Sequence, residues 1–280
     1  MKIINTISEI KGLIRDFKEE GKIIGLVPTM GALHDGHAAL VKNCIIECDA
    51  SVVSVFVNPT QFNNQEDLML YPRTPEKDIK LLENIGVDLV FIPEVKEMYP
   101  EPDNRQFDFD NLDKIMEGEF RPGHFNGVAQ IVSKLFNIIH PHKAYFGEKD
   151  FQQLVVIKQM IKQLNMEVEI IAVPTVREES GLAISSRNQR LTEVQKKNAS
   201  EIFRILNYSI SIIDKCDPEH LTEYVTEEIN KVPGLRVEYF LIVDGEKMQT
   251  VNTWYESDSI IGCIAVYCGG VRLIDNIRYK

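Results

Sequence analysis

Two histidines with two residues between them, His34-Asp35-Gly36-His37, follow an apolar run and open a segment with helical patterning. Ligands of open α/β sheets sit outside the carboxyl ends of strands, where a helix N-terminus offers N–H groups and partial positive charge to a phosphate. Paired imidazoles at that place can hydrogen-bond a triphosphate and stabilise the charge that moves onto pyrophosphate as it leaves. Gly36 allows close approach of the backbone. Read alone, the pair serves equally well as two polar turn residues. Neither GxGxxG nor GxxxxGK[ST] occurs, so a dinucleotide fingerprint and a P-loop are both unsupported.

Cationic partners for such a site occur further along the chain. Gly147-Glu148-Lys149-Asp150 follows a short strand pattern and opens a helix, which suits Lys149 for phosphate charge and Asp150 for a magnesium ion or its water shell. Ser185-Ser186-Arg187-Asn188 lies on a loop after another strand, and two hydroxyls with a guanidinium match phosphate oxygens. Gln61 and Gln153 have amides suited to a small polar substrate. Taken singly, these segments read as a solvated helix start, a domain linker and two ordinary glutamines.

The elements that must position these residues alternate. Thr6 and Glu9 have capping-box spacing before the stripe Ile7, Ile10, Leu13, Ile14 and Phe17, and Gly21 can end that helix. A strand is predicted over Lys22–Val27, closed by Pro28, then a helix over 37–48 beginning after Gly36. Strands at 51–57, 88–92, 144–146 and 168–173 are separated by helices starting at Thr74-Pro75, near 127 and near Asp150. Strands apolar on both faces alternating with helices predict a Rossmann-like parallel sheet covered on both sides. After the loop 175–190 the texture changes. Thr192 and Gln195 form a second capping box, two helices follow, and strands at 236–243, 259–267 and 271–277 predict an antiparallel sheet, making a smaller α+β domain. The domain boundary is expected near 175, giving residues 1–175 and 176–280.

Composition narrows the function classes. The chain has 280 residues, 44% hydrophobic and 26% charged, near the globular average and far from a disordered or coiled-coil composition. The net charge of −11 makes non-specific binding of nucleic acid or an anionic membrane unfavourable, so any anion must be met by a locally basic pocket. No stretch approaches the roughly 20 apolar residues of a membrane helix, and no signal-peptide apolar region follows Lys2; the cytoplasm is the expected compartment. The five cysteines (Cys44, Cys48, Cys216, Cys263 and Cys268) lack CxxC spacing and are expected to be buried, reduced thiols.

The segments PTMGALHDGH (28–37), FVNPTQFN (56–63), EDLMLYPRT (66–74), RPGHFNGV (121–128), FGEKDFQQL (146–154) and VPTVREESGLAISSRNQRL (173–191) together resemble the pantoate–β-alanine ligase family of the HxGH nucleotidyltransferase-like group. VEYFLIVD (237–244) resembles the family's second domain. The resemblance implies a two-step ligation: pantoate and ATP give pantoyl adenylate and pyrophosphate, then β-alanine attacks to give pantothenate and AMP. It implies that residues 1–175 bind nucleotide and pantoate and that 176–280 cover the active site. It assigns to ATP Met30, Gly31, Ala32, Leu33, His34, Asp35, Gly36 and His37, then Gly147, Glu148, Lys149 and Asp150, then Val176, Ile184, Ser185, Ser186 and Arg187. His37 takes a proton-donor role, with His34, Lys149 and Arg187 as its catalytic companions. Gln61 and Gln153 hold pantoate, with Gln61 also meeting β-alanine. Mg2+ and a homodimer are further implications.

Three positions depart from the family's usual residues: Ile184 where Met or Leu is common, Asp35 where Glu is common, and Leu241 where an acidic residue is common. None removes a group the chemistry requires. The alternative enzyme reading is another HxGH adenylyltransferase acting on a phosphate acceptor, which gives no reason for YPRT, GEKD and SSRN to occur together. A nucleotide-sensing module without turnover would not need His34, His37, Lys149 and Arg187 all present.

Overall fold

The computed structural model describes residues 1–280, which separate into two compact units: Met1–Glu148 with Val156–Pro174, and Lys149–Val155 with Thr175–Lys280. Residues 149–155 thus group with the second unit, whereas a single boundary near 175 leaves them with the first.

In the first unit, strands β1 (Lys2–Ile4), β2 (Ile24–Thr29), β3 (Ala50–Val55), β4 (Leu89–Phe91), β5 (Lys143–Gly147) and β6 (Glu169–Val173) form one sheet in the order β1-β4-β3-β2-β5-β6. Every pairing is parallel. The helices are α1 (Ile7–Glu19), α2 (Asp35–Glu47), α3 (Gln65–Leu70), α4 (Pro75–Ile85), α5 (Val95–Met98), α6 (Glu117–Phe120) and α7 (His124–Ile139), and α8 (Phe151–Leu164) belongs to this unit from Val156 onward. The sheet follows from its inner strands: β2 and β3 are buried along almost their whole length, whereas the edge strands β1 and β6 are largely open to solvent. The chain steps outward from β2 through β3 to β4, and β5 returns on the other side of β2. The carboxyl ends of β2 and β5 therefore flank the point where the order reverses, the usual ligand crevice of such sheets.

Local signals behave as expected at several ends. Thr6 caps α1 through Glu9 N–H at 3.3 Å, and α4 starts with Pro75 and stops at Gly86, whose φ is +94°. Two boundaries differ. Pro28 lies inside β2 rather than ending it; its register partner is Ser54, and the ladder to β5 has already stopped at Leu26. Helix α2 begins at Asp35, with His34 as the residue that caps it, so Gly36 sits in the first turn and not before it.

The second unit contains α9 (Glu193–Ile210), α10 (Pro218–Asn230) and an antiparallel sheet β7-β8-β9 (Leu235–Asp244, Ile260–Cys268, Val271–Arg278). Thr192 and Gln195 form the anticipated reciprocal cap of α9. Ile202, Leu206, Leu221, Val225, Ile264 and Val266 lie in one buried cluster that holds the helices on the sheet. All five cysteines are free; Cys44, Cys263 and Cys268 are buried, while Cys48 and Cys216 are only partly so. No helix is long and apolar enough to cross a membrane.

Candidate active site

The loop leaving β2 is held by the buried carboxylate of Asp78 on α4. One oxygen accepts the N–H of Ala32 at 2.9 Å, and the other accepts that of Leu33 at 2.8 Å and the hydroxyl of Thr74 at 3.0 Å. The loop needs this hold, because Gly31 and Ala32 have φ of +78° and +50° and a non-glycine residue in that region costs about 1–3 kcal/mol. Charge-assisted bonds to consecutive backbone donors offset that strain. A second tie runs from Gly31 N–H to the hydroxyl of Thr29, which itself donates to the Ser54 carbonyl at 2.7 Å.

The two histidines follow directly. His34 is extended at the N-terminus of α2, and its backbone N–H donates to Nδ1 of His37 at 3.4 Å. That bond requires a lone pair on Nδ1, which puts the proton of a neutral His37 on Nε2 and makes Nε2–H a donor. The rings lie 4.1 Å apart between centroids and are tilted by 38°. A Cβ on Gly36 would stand 2.9 Å from Cε1 of His34. The close approach that Gly36 permits is thus that of the His34 ring.

Gln61 is buried in a 3₁₀ turn, Pro59–Gln61, that follows β3. Its amide oxygen accepts from Asn58 at 3.2 Å, and its amide nitrogen donates to the Met30 sulfur at 2.9 Å. Asn58 is fixed in turn by the Gly127 carbonyl at 3.0 Å and the Tyr99 hydroxyl at 2.8 Å. Burial pushes the Tyr99 hydroxyl above its ordinary pKa, with the Thr60 bond opposing, so it stays a protonated donor at neutral pH. His124 Nδ1 lies 2.9 Å from the Gln61 carbonyl.

In the second unit, Lys149, Ser185 and Arg187 line one small cavity together with Asn188, Arg272 and Asp275. Val176 and Ile184 are joined by a 3.0 Å bond from Ile184 N–H to the Val176 carbonyl, closing a short hairpin that delivers Ser185, whose hydroxyl accepts Arg187 N–H at 3.3 Å. Ser186 opens the following 3₁₀ turn. Gln153 lies on the first turn of α8 and is partly exposed. Gly147 ends β5, and Glu148 and Asp150 bracket Lys149 in a 3₁₀ turn. The Asp150 carboxylate is half exposed, 3.9 Å from Lys149 Nζ, and no three His, Cys, Asp or Glu side chains cluster as a metal cage.

The structure therefore brings the expected residues into separate groups. Met30–His37 and Gln61 meet in the first unit, and Lys149, Ser185 and Arg187 meet in the second. Sequence reasoning missed Asp78, Asn58, Tyr99 and His124. Asn58 and His124 lie inside segments that carry the resemblance, but their partners are distant along the chain, so only a fold could reveal their task.

The sequence model of the pantoate-beta-alanine ligase family matches residues 2–278. The chain belongs to that family. It is 54% identical to the pantothenate synthetase of Bacteroides fragilis (strain YCH46) over 280 residues, all of this chain and 99% of that one. It is also 54% identical to that of Porphyromonas gingivalis (strain W83), with both chains fully covered. The crystal structure of the pantothenate synthetase from Thermus thermophilus superposes with a TM-score of 0.93 at 40% identity, covering all of both chains. A pantoate-beta-alanine ligase from Francisella tularensis, crystallised in complex with beta-gamma ATP and β-alanine, gives 0.82 at 37% identity, covering 100% of this chain and 98% of that one. Membership makes the chain a ligase that joins pantoate to β-alanine, and it disfavours an adenylyltransferase acting on a phosphate acceptor.

Proposed function

We propose that the ligation runs through an acyl adenylate. The pantoate carboxylate attacks the α-phosphorus of ATP, the bond to the β-phosphate oxygen breaks, and pyrophosphate leaves. The β-alanine amine then attacks the acyl carbonyl, the nitrogen gives up a proton to solvent as the amide forms, and AMP leaves with the electron pair of the acyl–oxygen bond. No protein nucleophile is needed, so catalysis consists of positioning and charge stabilisation.

The paired rings of His34 and His37 at the carboxyl end of β2 carry this reading. Nε2–H of His37 donates to the phosphates, a role its fixed tautomer suits, and His34 contributes a second imidazole. Met30–Leu33, Asp35 and Gly36 line the nucleotide with Gly147, Glu148, Val176 and Ile184. Lys149, Ser185, Ser186 and Arg187 supply the local positive charge and donors that a chain of net charge −11 must gather to hold two anions. Gln61 and Gln153 hold pantoate, and Gln61 also meets β-alanine.

Mg2+ in ATP sites is held chiefly by phosphate oxygens and waters with one or two carboxylates, so the single exposed carboxylate of Asp150 suits it and a protein cage is not needed. Bound there, the ion would neutralise charge on the leaving pyrophosphate. The reading also includes a cytoplasmic homodimer, for which the resemblance and the prevalence of twofold symmetry are the grounds.

The decisive experiment is ATP–pyrophosphate exchange with pantoate present and β-alanine absent. Pantoate-dependent exchange is expected; exchange that ignores pantoate but responds to a phosphate-bearing acceptor would overturn the adenylate route.

A further inference from the structure

Within the second unit, two adjacent residues of β9 grip both segments that carry its cations. Asp275 is buried, and its two oxygens accept from Arg177 Nη1 at 2.6 Å and Nη2 at 2.8 Å, a bidentate pair. Arg177 starts the hairpin that leads to Ser185 and Arg187. It also donates to the Gly181 carbonyl at 3.2 Å and stacks 3.6 Å from the Phe203 ring centroid. Its backbone bridges Ala183, and the Ala183 carbonyl accepts from the side chain of Asn188, one residue beyond Arg187, at 3.0 Å. The next residue on the strand, Asn276, donates from its side-chain amide to the Lys149 carbonyl at 3.0 Å. The backbone N–H of Asn276 donates to Asp275 Oδ1 at 2.8 Å, so the carboxylate that holds Arg177 is also tied to the backbone of the residue that holds Lys149.

We infer that Asp275 and Asn276 are positioning residues for the adenylation step, holding the Arg177–Arg187 segment and the Lys149 backbone in one register on a single strand. This rests on the reading of Lys149 and Arg187 as phosphate ligands. The physical reason is cooperative. Lys149 sits in a three-residue 3₁₀ turn between β5 and α8 and Arg187 in another 3₁₀ turn that follows the hairpin, and neither turn alone fixes its side chain to the fraction of an ångström that charge stabilisation demands. A shared strand lends both turns the rigidity of the β-sheet core: β9 is paired along its whole length with β8, and Asp275 and Asn276 stand opposite Ile264 and Cys263. Neither residue is asked to touch substrate.

The test is a kinetic cycle on the full-length protein, read by ATP–pyrophosphate exchange with pantoate. Asn276→Ala should lower kcat/KM for ATP about tenfold, the scale of one lost hydrogen bond, while KM for pantoate stays within twofold. Asp275→Asn, which keeps the shape but loses the bidentate acceptor, should give the same ATP-selective defect. In a Lys149→Ala background, adding Asn276→Ala should change kcat/KM by less than twofold, because its effect passes through Lys149. If Asn276→Ala fails to fold, Asn276→Ser, which keeps a short donor, is measured in its place and should fall between wild type and the expected loss. Wild-type ATP kinetics in folded Asn276→Ala would overturn the inference. So would an equal rise in KM for both substrates, or an undiminished effect in the Lys149→Ala background. If Lys149→Ala itself stays within a few-fold of wild type, the failure belongs to the phosphate role of Lys149 instead.

Discussion

Asp78 on α4 accepts the backbone N–H of Leu33 at 2.8 Å, reaching across 45 residues of chain to the loop that presents the histidines. Because the same carboxylate also takes Ala32 N–H and the Thr74 hydroxyl, an amide in its place would face a backbone donor with a donor of its own. Asp78→Asn should therefore cost about 1–3 kcal/mol of unfolding free energy and lower kcat with it, as the loop relaxes from its positive-φ conformation. Denaturant unfolding together with steady-state kinetics checks this; unchanged stability would show that the loop holds itself.

His37 offers a sharper measurement. The bond from His34 N–H to its Nδ1 requires the Nε2–H tautomer in the neutral ring, which imidazole ¹⁵N shifts report directly. His37→Ala should lower kcat/KM by about a hundredfold or more, the scale of one lost charge-stabilising donor, with thermal stability near wild type. A Nδ1–H tautomer, or a folded variant within a few-fold of wild type, would remove His37 from its proposed place.

How far the sequence alone reveals this arrangement depends on range. Caps written within three residues, at Thr6 and at Thr192 with Gln195, can be read directly, as can the Thr74-Pro75 start of α4. The three-residue strand β1 cannot, because Lys2–Ile4 is too short to show a period and gains its place only by pairing with β4. Pro28 misleads for a related reason: its effect depends on which neighbour its missing N–H would have met, a property of the sheet. The histidines and the cationic segments are visible as residue types. Their supports, Asp78 under the loop and Asn58 with Tyr99 behind Gln61, are long-range pairs that leave no local spacing.

The acid limb of stability should carry the signature of Asp103. The Arg105 guanidinium holds its carboxyl well below the usual carboxylate range, at about 2, against the penalty of burial, and Lys134 Nζ lies 3.3 Å away. A carboxyl whose pKa is lowered on folding contributes stability that is full above its unfolded pKa and lost as pH falls through the folded one. The window here runs from about pH 4 down to about 2, and the contribution is about 2 kcal/mol. Asp103→Asn should lower stability at pH 7 by an amount of that order and flatten the loss over that window. Urea unfolding at several pH values measures both, and an unchanged slope would assign the acid loss to other carboxyls.

Positioning and charge can be told apart at Gln61. Its amide oxygen is held by Asn58, which turns the NH2 group toward the Met30 sulfur. A thioether is a weak acceptor, so a carboxylate or hydroxyl oxygen arriving there would replace it at little cost. The donor is thus oriented by Asn58 and lightly engaged, a state suited to meeting a small polar anion. Gln61→Ala should weaken pantoate-dependent exchange by about 1–3 kcal/mol and also slow single-turnover release of AMP from preformed pantoyl adenylate by β-alanine. Gln61→Glu keeps the size but sets a negative charge against a negative substrate, and should lose at least as much in the first half-reaction. ATP affinity without pantoate should change little in either variant, because the groups proposed for phosphate lie on α2 and in the second unit. If calorimetry showed ATP affinity lost while both half-reactions kept near wild-type rates, Gln61 would belong to the nucleotide and the place given to pantoate would be wrong.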